Sequence, residues 1–485
     1  MVFSSHIFIF YFLPLALILY FAAPRRFRNL LLVLVSYVFY GWANAAFVLV
    51  LLLSTVIDYL VGIALVAGCP SDIPGQLPQL EPGTPRTRGQ RIMIIVSIAA
   101  NLSLLGFFKY FNFFIDNVSA ALQAMGLSDA LVGGMIRVTL PLGISFYTFQ
   151  SMSYTIDVYR GYARPLRNFI DFACFVSMFP QLVAGPIIRF KEVSEQLVNR
   201  VVTLPGFSRG IAFLTVGLAK KVLLANPCGK VADTVFGASS STCIDAWYGA
   251  VAYAFQIYFD FSAYSDMAVG LGLMMGFVFA KNFDSPYSSK SITEFWRRWH
   301  ISLSTWLKDY LYIPLGGNRI SPLRTYFNLM AVMLIGGFWH GAAWNFIAWG
   351  AMHGTLLCAE RLHGKQGFLS NLPDFMKITG TFVMVLITWV FFRADSLSSA
   401  LEYLGRMFLG AGAGSADGIV TALIYRPYYL IAMIAGAWAT WRGACSWEWT
   451  RVLTFRKTVA VIVLFVISLI VLTTQEYNPF IYFIF

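Results

Sequence analysis

Charge is scarce in this chain. Only 12% of its 485 residues are Asp, Glu, Lys or Arg, about half the share found in soluble domains, which excludes an ordinary water-soluble globular protein. The six cysteines, Cys69, Cys174, Cys228, Cys243, Cys358 and Cys445, include no C-x-x-C pair and no metal-ligand spacing. They read as unpaired packing thiols, and no metal is expected. A Walker loop, a Rossmann glycine fingerprint, a G-x-S-x-G elbow and an H-E-x-x-H helix are all missing, so nucleotide-driven and serine-hydrolase mechanisms have no support. No Lys or Arg precedes the first apolar run, 7–21, whereas Arg25, Arg26 and Arg28 follow it. That order is the reverse of a cleavable signal peptide. It predicts a retained first helix with a periplasmic N-terminus and the arginines in the cytoplasm. The net charge of +12 is spread through short loops with no long basic run, which points to membrane topology and away from a nucleic-acid partner.

Apolar sequence is what the chain has in abundance, at 58%. Runs of about 18 residues or more read as membrane spans, and the pattern predicts an all-α polytopic transmembrane bundle forming one membrane-embedded domain over 1–485. Along it lie N-terminal helices (1–67), a Pro/Gly-rich cytoplasmic loop (68–91), central helices (92–280), an amphipathic interfacial segment (281–324), a histidine-bearing core (325–360) and C-terminal helices (361–485). Candidate spans fall near 6–22, 30–42, 45–67, 92–115, 138–157, 169–190, 207–226, 246–278, 325–339, 343–360, 376–393, 419–440 and 457–474. Two of them, 30–42 and 325–339, have 13 and 15 residues, where a crossing needs about 20. These are expected to be broken or re-entrant helices, which survive in a bilayer where protein or water satisfies the backbone. Under this topology Arg86, Arg88 and Arg91, and then Arg160, Arg164 and Arg167, join the first basic cluster on the cytoplasmic side.

From 291 to 312 the apolar residues Ile292, Phe295, Trp299, Leu303, Trp306 and Tyr310 recur every three or four positions. This is the pattern of an amphipathic helix, and the interleaved Arg297, Arg298 and Lys308 suit a headgroup zone. The helix is expected at the cytoplasmic surface or at the entrance to the bundle, with His300 embedded in it. Polar residues at membrane depth form two further groups, Gln150, Ser151, Ser153 and Asp157, and Gln256, Asp260, Ser262, Ser265 and Asp266. Such groups line a hydrophilic passage or tie helix ends together; for Asp260 and Asp266 the structural part is the expected one. Gly270, Gly272 and Gly276 read as a close-packing helix face.

Of five histidines, three (His300, His340 and His353) fall within 54 consecutive residues. Imidazole is a poor lipid-facing group and the commonest proton-transfer group near neutral pH. Ionisable residues inside a membrane are functional candidates. His340 and His353 share the frame Gly-x-x-His-Gly, at 337–341 and 350–354. On one straight helix, thirteen residues of separation would leave the two rings about 140° apart. A break near Gly341 removes that constraint, and glycines on both sides allow close backbone approach or a narrow passage. Each histidine also has a purely structural alternative: a hydrogen bond across helices for His353, an interfacial position for His300, a satisfied buried ring for His340. A three-histidine metal site lacks a carboxylate at ligand spacing.

The run FWRRWHISLSTWLKDY at 295–310, followed by GFWHG at 337–341 and WGAMHG at 349–354, resembles the membrane-bound O-acyltransferase family, in the bacterial branch that serves alginate O-acetylation. The stretches 140–161, 179–190 and 258–276, the opening MVFSS and the aromatic C-terminal tail are similar too. The resemblance implies an inner-membrane acetyltransferase that takes acetyl from a cytoplasmic donor, acetyl-CoA, and passes it across the membrane. Periplasmic partner proteins then complete transfer to polysaccharide hydroxyls. It also implies that His340 is the family's central catalytic histidine and His300 its second motif position. His353 matches a histidine common in this branch, and Asp309 and Asn345 are further supporting candidates in and beside the motifs. A thioester carries activated acetyl, but an alcohol is a weak nucleophile until a base withdraws its proton; a neutral imidazole can be that base, worth about 10²–10⁴ in rate. Cellulose, peptidoglycan and teichoic acid stay open as acceptors. From a different class, a transporter or flippase would use the broken helices without covalent chemistry, and a scaffold would only anchor periplasmic enzymes.

Overall fold

Several helices in this chain start where a polar side chain caps them. Thr87 Oγ1 accepts from the Gln90 N–H at 3.2 Å while Gln90 Oε1 accepts from the Thr87 N–H at 3.0 Å, a reciprocal cap. Ser291 and Ser321 do the same in simpler form, each accepting at 3.1 Å from the N–H three residues on. The computed structural model describes residues 1–71, 73–128, 134, 136–183, 185–364, 369, 371–410 and 417–480, so the last five residues of the aromatic tail lie outside it. Among the described residues every regular element is helical. Five helices there are long and apolar enough to cross a membrane: Ala46–Leu65, Arg88–Ala124, Leu204–Phe236, Asp374–Arg393 and Phe455–Thr474. A sixth follows if Gly418–Ile424 and Pro427–Trp441, bent by 61°, count as one broken span. Two compact units divide the chain, Met1–Thr203 with Met275–Phe279, and Leu204–Met274 with Ala280–Phe485.

In the first unit, α1 (Ala46–Leu65), α2 (Arg88–Leu105) and α3 (Ile144–Arg160) pack on one another. Asp58 on α1, wholly buried, accepts hydrogen bonds from Ser97 Oγ at 2.6 Å, from Asn101 Nδ2 at 2.7 Å and from Ser151 Oγ. Three donors on two neighbouring helices thus offset the desolvation of one carboxyl group. Ser153 and Asp157 hold a helix end: they accept from the backbone N–H groups of Phe190 (3.1 Å) and Lys191 (3.4 Å), where the helix Phe190–Val198 begins. The expected span at 169–190 is corrected here. It is a nine-residue helix, Phe169–Ser177, then a single turn, Phe179–Leu182, separated by a non-helical Met178.

The second unit is built around α4 (Leu204–Ala219), a π-helical continuation Lys220–Ala225, α5 (Asn226–Phe236) and the 32-residue α6 (Cys243–Met274). At the α4–α6 crossing, a Cβ on Gly210 would stand 2.6 Å from the Gly270 carbonyl oxygen, and one on Gly270 would stand 2.6 Å from that of Gly210. Only glycine lets these backbones meet. Lys221 pairs with Asp260 at 2.8 Å, both side chains almost completely enclosed, and Lys220 pairs with Asp266 at 2.7 Å. The two α6 aspartates therefore tie α6 to the π-helical turn, the structural part expected of them. A buried charge without its partner is costly, which accounts for the pairing.

Candidate active site

Every residue of the predicted apolar stripe is buried: Ile292, Phe295, Trp299, Leu303, Trp306 and Tyr310. The single amphipathic helix it implied is nonetheless two helices, α7 (Ile292–Arg298) and α8 (Ile301–Leu307), with a π-helical turn Lys308–Tyr312 after them. The break lies at His300, whose φ of 43° and ψ of 56° are left-handed. Non-glycine residues enter that region at a cost of about 1–3 kcal/mol and persist only where their surroundings fix them. Here a neighbouring strand of chain does so. The Ile301 N–H donates to the Asn282 carbonyl at 2.9 Å, and the Asp284 N–H to the Arg298 carbonyl at 2.9 Å. At the other end, Glu360 accepts from the Ile292 N–H at 2.6 Å and the Thr293 N–H at 2.9 Å, a carboxylate set on a helix N-terminus. Sequence reasoning passed over both Asn282 and Glu360, since each acts from far along the chain.

The two Gly-x-x-His-Gly frames lie on α9 (Pro322–His340) and α10 (Trp344–Leu362). The expected break near Gly341 is present: α9 ends on His340 itself, and Gly341 is extended. The glycines form the seam between these helices. A Cβ on Gly337 would be 2.4 Å from the Phe346 carbonyl oxygen, and one on Gly350 would be 2.4 Å from that of Met333. Both closing glycines are also tight, Gly341 against the Phe346 ring and Gly354 against Met330.

The seam delivers the histidines to one aromatic cluster. The His340 ring lies 4.9 Å from Trp339, 5.2 Å from Trp349 and 5.2 Å from Phe392. Trp349 also meets His353 at 4.9 Å, and Trp339 meets His300 at 6.5 Å. Two indoles therefore link the three imidazoles. His340 lines a cavity of about 190 Å³ with Trp296, Leu303, Lys308, Tyr312 and Trp349 among its walls. The α9 residues facing it run from Leu329 to His340, about 16 Å of helix. The cavity is thus narrow and largely apolar, with an imidazole at one end of its helical wall and the exposed Lys308 along its side.

His300 does not reach that cavity wall. It is fully enclosed, with the Phe261 ring edge-on at 4.5 Å and Nδ1 at 3.2 Å from Asn282 Oδ1. Burial pushes its imidazole down to about 3, because a charged ring finds no solvent there. His353, also fully enclosed, accepts from Trp296 Nε1 at 3.3 Å across helices. The structural alternative named for it is therefore present in fact. Asn345 is placed apart from this chemistry. Its Nδ2 donates to the carbonyls of Phe391 (3.1 Å) and Ala394 (2.8 Å), clamping the start of α10 to the end of α11 (Asp374–Arg393). Asp309 is half-buried in the π-helical turn and is not among the residues lining the cavity.

The profile of the MBOAT, membrane-bound O-acyltransferase family, matches residues 160–400. The chain is 43% identical to the probable alginate O-acetylase AlgI of Pseudomonas putida, with 100% of each protein covered. It is 47% identical to the probable alginate O-acetylase AlgI of Pseudomonas aeruginosa, over 84% of this chain and 75% of the other. To the peptidoglycan O-acetyltransferase of Helicobacter pylori it is 38% identical, over 84% and 80%.

Proposed function

This chain belongs to the membrane-bound O-acyltransferase family, and from that premise we propose that it moves acetyl from cytoplasmic acetyl-CoA across the inner membrane for O-acetylation of alginate. The observation that carries the proposal is the position of His340, on the last residue of a helix and on the wall of a narrow cavity. In this reading the whole chain works as one membrane-embedded domain with its N-terminus on the periplasmic side, and periplasmic proteins complete delivery to the polymer. Likeness over the full length to an alginate O-acetylase favours alginate as acceptor.

His340 is the general base. The acceptor hydroxyl gives its proton to the imidazole, its oxygen bonds to the thioester carbonyl carbon, the C–S bond breaks, and the imidazolium returns the proton to the leaving thiolate. Such assistance contributes about 10²–10⁴ in rate. His300 and His353 support the site from behind the indoles. The aromatic walls keep water from competing with the acceptor for the acetyl group.

The test is thioester cleavage by the purified protein. With labelled acetyl-CoA, CoA release is expected, and acetylated product once an alginate oligomer and the periplasmic proteins are added, both lost in His340→Ala. A transporter would release no CoA, and undiminished transfer by the His340→Ala protein would remove that residue from the mechanism. Acetylation of a peptidoglycan fragment in place of alginate would change the acceptor and leave the chemistry standing.

A further inference from the structure

His300 and His353 are both enclosed, and each uses Nδ1 in a hydrogen bond. Their partners differ in kind, and that difference fixes where each ring carries its proton.

At His300 the deciding group is Ser302. Its backbone N–H lies 3.2 Å from the Asn282 side chain. A backbone N–H only donates, so the Asn282 atom facing it is the amide oxygen, and the flipped amide is ruled out. The same oxygen lies 3.2 Å from His300 Nδ1. An amide oxygen only accepts, so in this contact Nδ1 is the donor. One competitor is the Ser302 hydroxyl, 3.4 Å from Nδ1. That hydroxyl is nearer Asn282 Oδ1, at 2.9 Å, and donates there. A bare Nδ1 would instead set its lone pair against that of the amide oxygen. A neutral imidazole has one N–H, so Nε2 of His300 is bare. It is also buried without a hydrogen-bond partner among the described residues. An enclosed acceptor left without a donor suits an atom kept for a functional contact.

At His353 the logic reverses. The Trp296 indole N–H is a donor only, so Nδ1 accepts and the proton sits on Nε2, which is likewise buried without a partner. The two rings present opposite faces, a lone pair at 300 and an N–H at 353.

We infer that Asn282 is a positioning residue that holds His300 in its Nδ1–H tautomer, so that His300 enters acyl transfer as an acceptor and never as a donor to the thioester carbonyl. The catalytic half of this inference rests on the proposed function; the tautomer does not. A bare Nε2 would repel the carbonyl oxygen, where negative charge grows in the transition state. It can only receive a hydrogen, and from its place off the cavity wall the role left to His300 is to orient the base.

Full-length protein with ¹⁵N-ring-labelled histidine, in lipid nanodiscs, reads this directly, because only five histidines contribute and His300→Gln and His353→Gln identify two of them. The expected wild-type spectrum has His300 protonated at Nδ1 and bare at Nε2, with His353 the reverse. A bare Nδ1 at His300 overturns the inference, whatever the variants do. Asn282→Asp keeps an accepting oxygen and is expected to keep the hydrogen on His300 Nδ1. Asn282→Leu is expected to lose the signature and about 10–100-fold in kcat, with a smaller change in KM. A normal signature in folded Asn282→Leu would also overturn it. Undiminished transfer by His340→Ala would end the functional reading while leaving the tautomer result intact.

Discussion

The frames 337–341 and 350–354 spell the same motif, yet they place their histidines in different stations. His340 is the last residue of α9, facing a cavity. His353 sits inside α10, its Nδ1 already engaged by Trp296. The glycines, in contrast, do the same work in both frames, since Gly337 and Gly350 meet at one crossing. A repeated motif here means a shared packing need, and whether the helix continues past the histidine separates the ring that lines the cavity from the ring that does not.

The comparison is broken most directly by exchanging rank between the two rings. His340→Ala is expected to lower acetyl transfer by about 10²–10⁴ with a smaller loss of thermal stability than His353→Ala. His353→Ala should retain more turnover but melt earlier, because an enclosed ring and its hydrogen bond are lost; a larger activity loss in His353→Ala would reverse the assignment. Next come the glycines. Gly337→Val and Gly350→Val each force a side chain onto a carbonyl oxygen, and overpacking of this kind costs about 1–3 kcal/mol or more. Both should lower accumulation and melting temperature alike, and unequal melting would show that the seam is not shared. A smaller effect is expected of Trp296→Phe, which removes one donor at about 1 kcal/mol and keeps most of the ring, as thermal melting of the purified protein would report.

The smallest effect is on pH dependence. His300 is pushed from 6.5 down to about 3 in the folded protein, so its proton is taken up by the unfolded chain first. Its share of stability is whole above about pH 6.5 and declines as pH falls toward 3. Between about pH 6.5 and 5.5 the wild type should lose roughly 1 kcal/mol more than His300→Asn, measured by parallel melts. Equal losses would mean that His300 is protonated in the fold.

Much of this was legible in the chain itself. The apolar stripe from Ile292 to Tyr310 named its buried residues correctly because side-chain spacing reports which face is covered. The break after His340 was legible from a short apolar run ending in glycine. The break at His300 was not, since α7 and α8 keep helical spacing through it and the left-handed turn is imposed by Asn282 and Asp284. Asp58 went unnoticed because one aspartate in an apolar run gives no sign of the three donors that other helices bring to it. The 169–190 stretch misled for the opposite reason: its composition is that of a span, but Met178 turns the chain before the helix is long enough.

Because the imidazole of residue 340 terminates its helix, the glycine seam also works as a depth gauge. Sliding α9 past α10 by one residue would carry the ring about 1.5 Å along the axis, and misplacement on the order of 1 Å already costs about a hundredfold in rate. Bulk at 337 or 350 is therefore excluded twice over, once for room and once for aim.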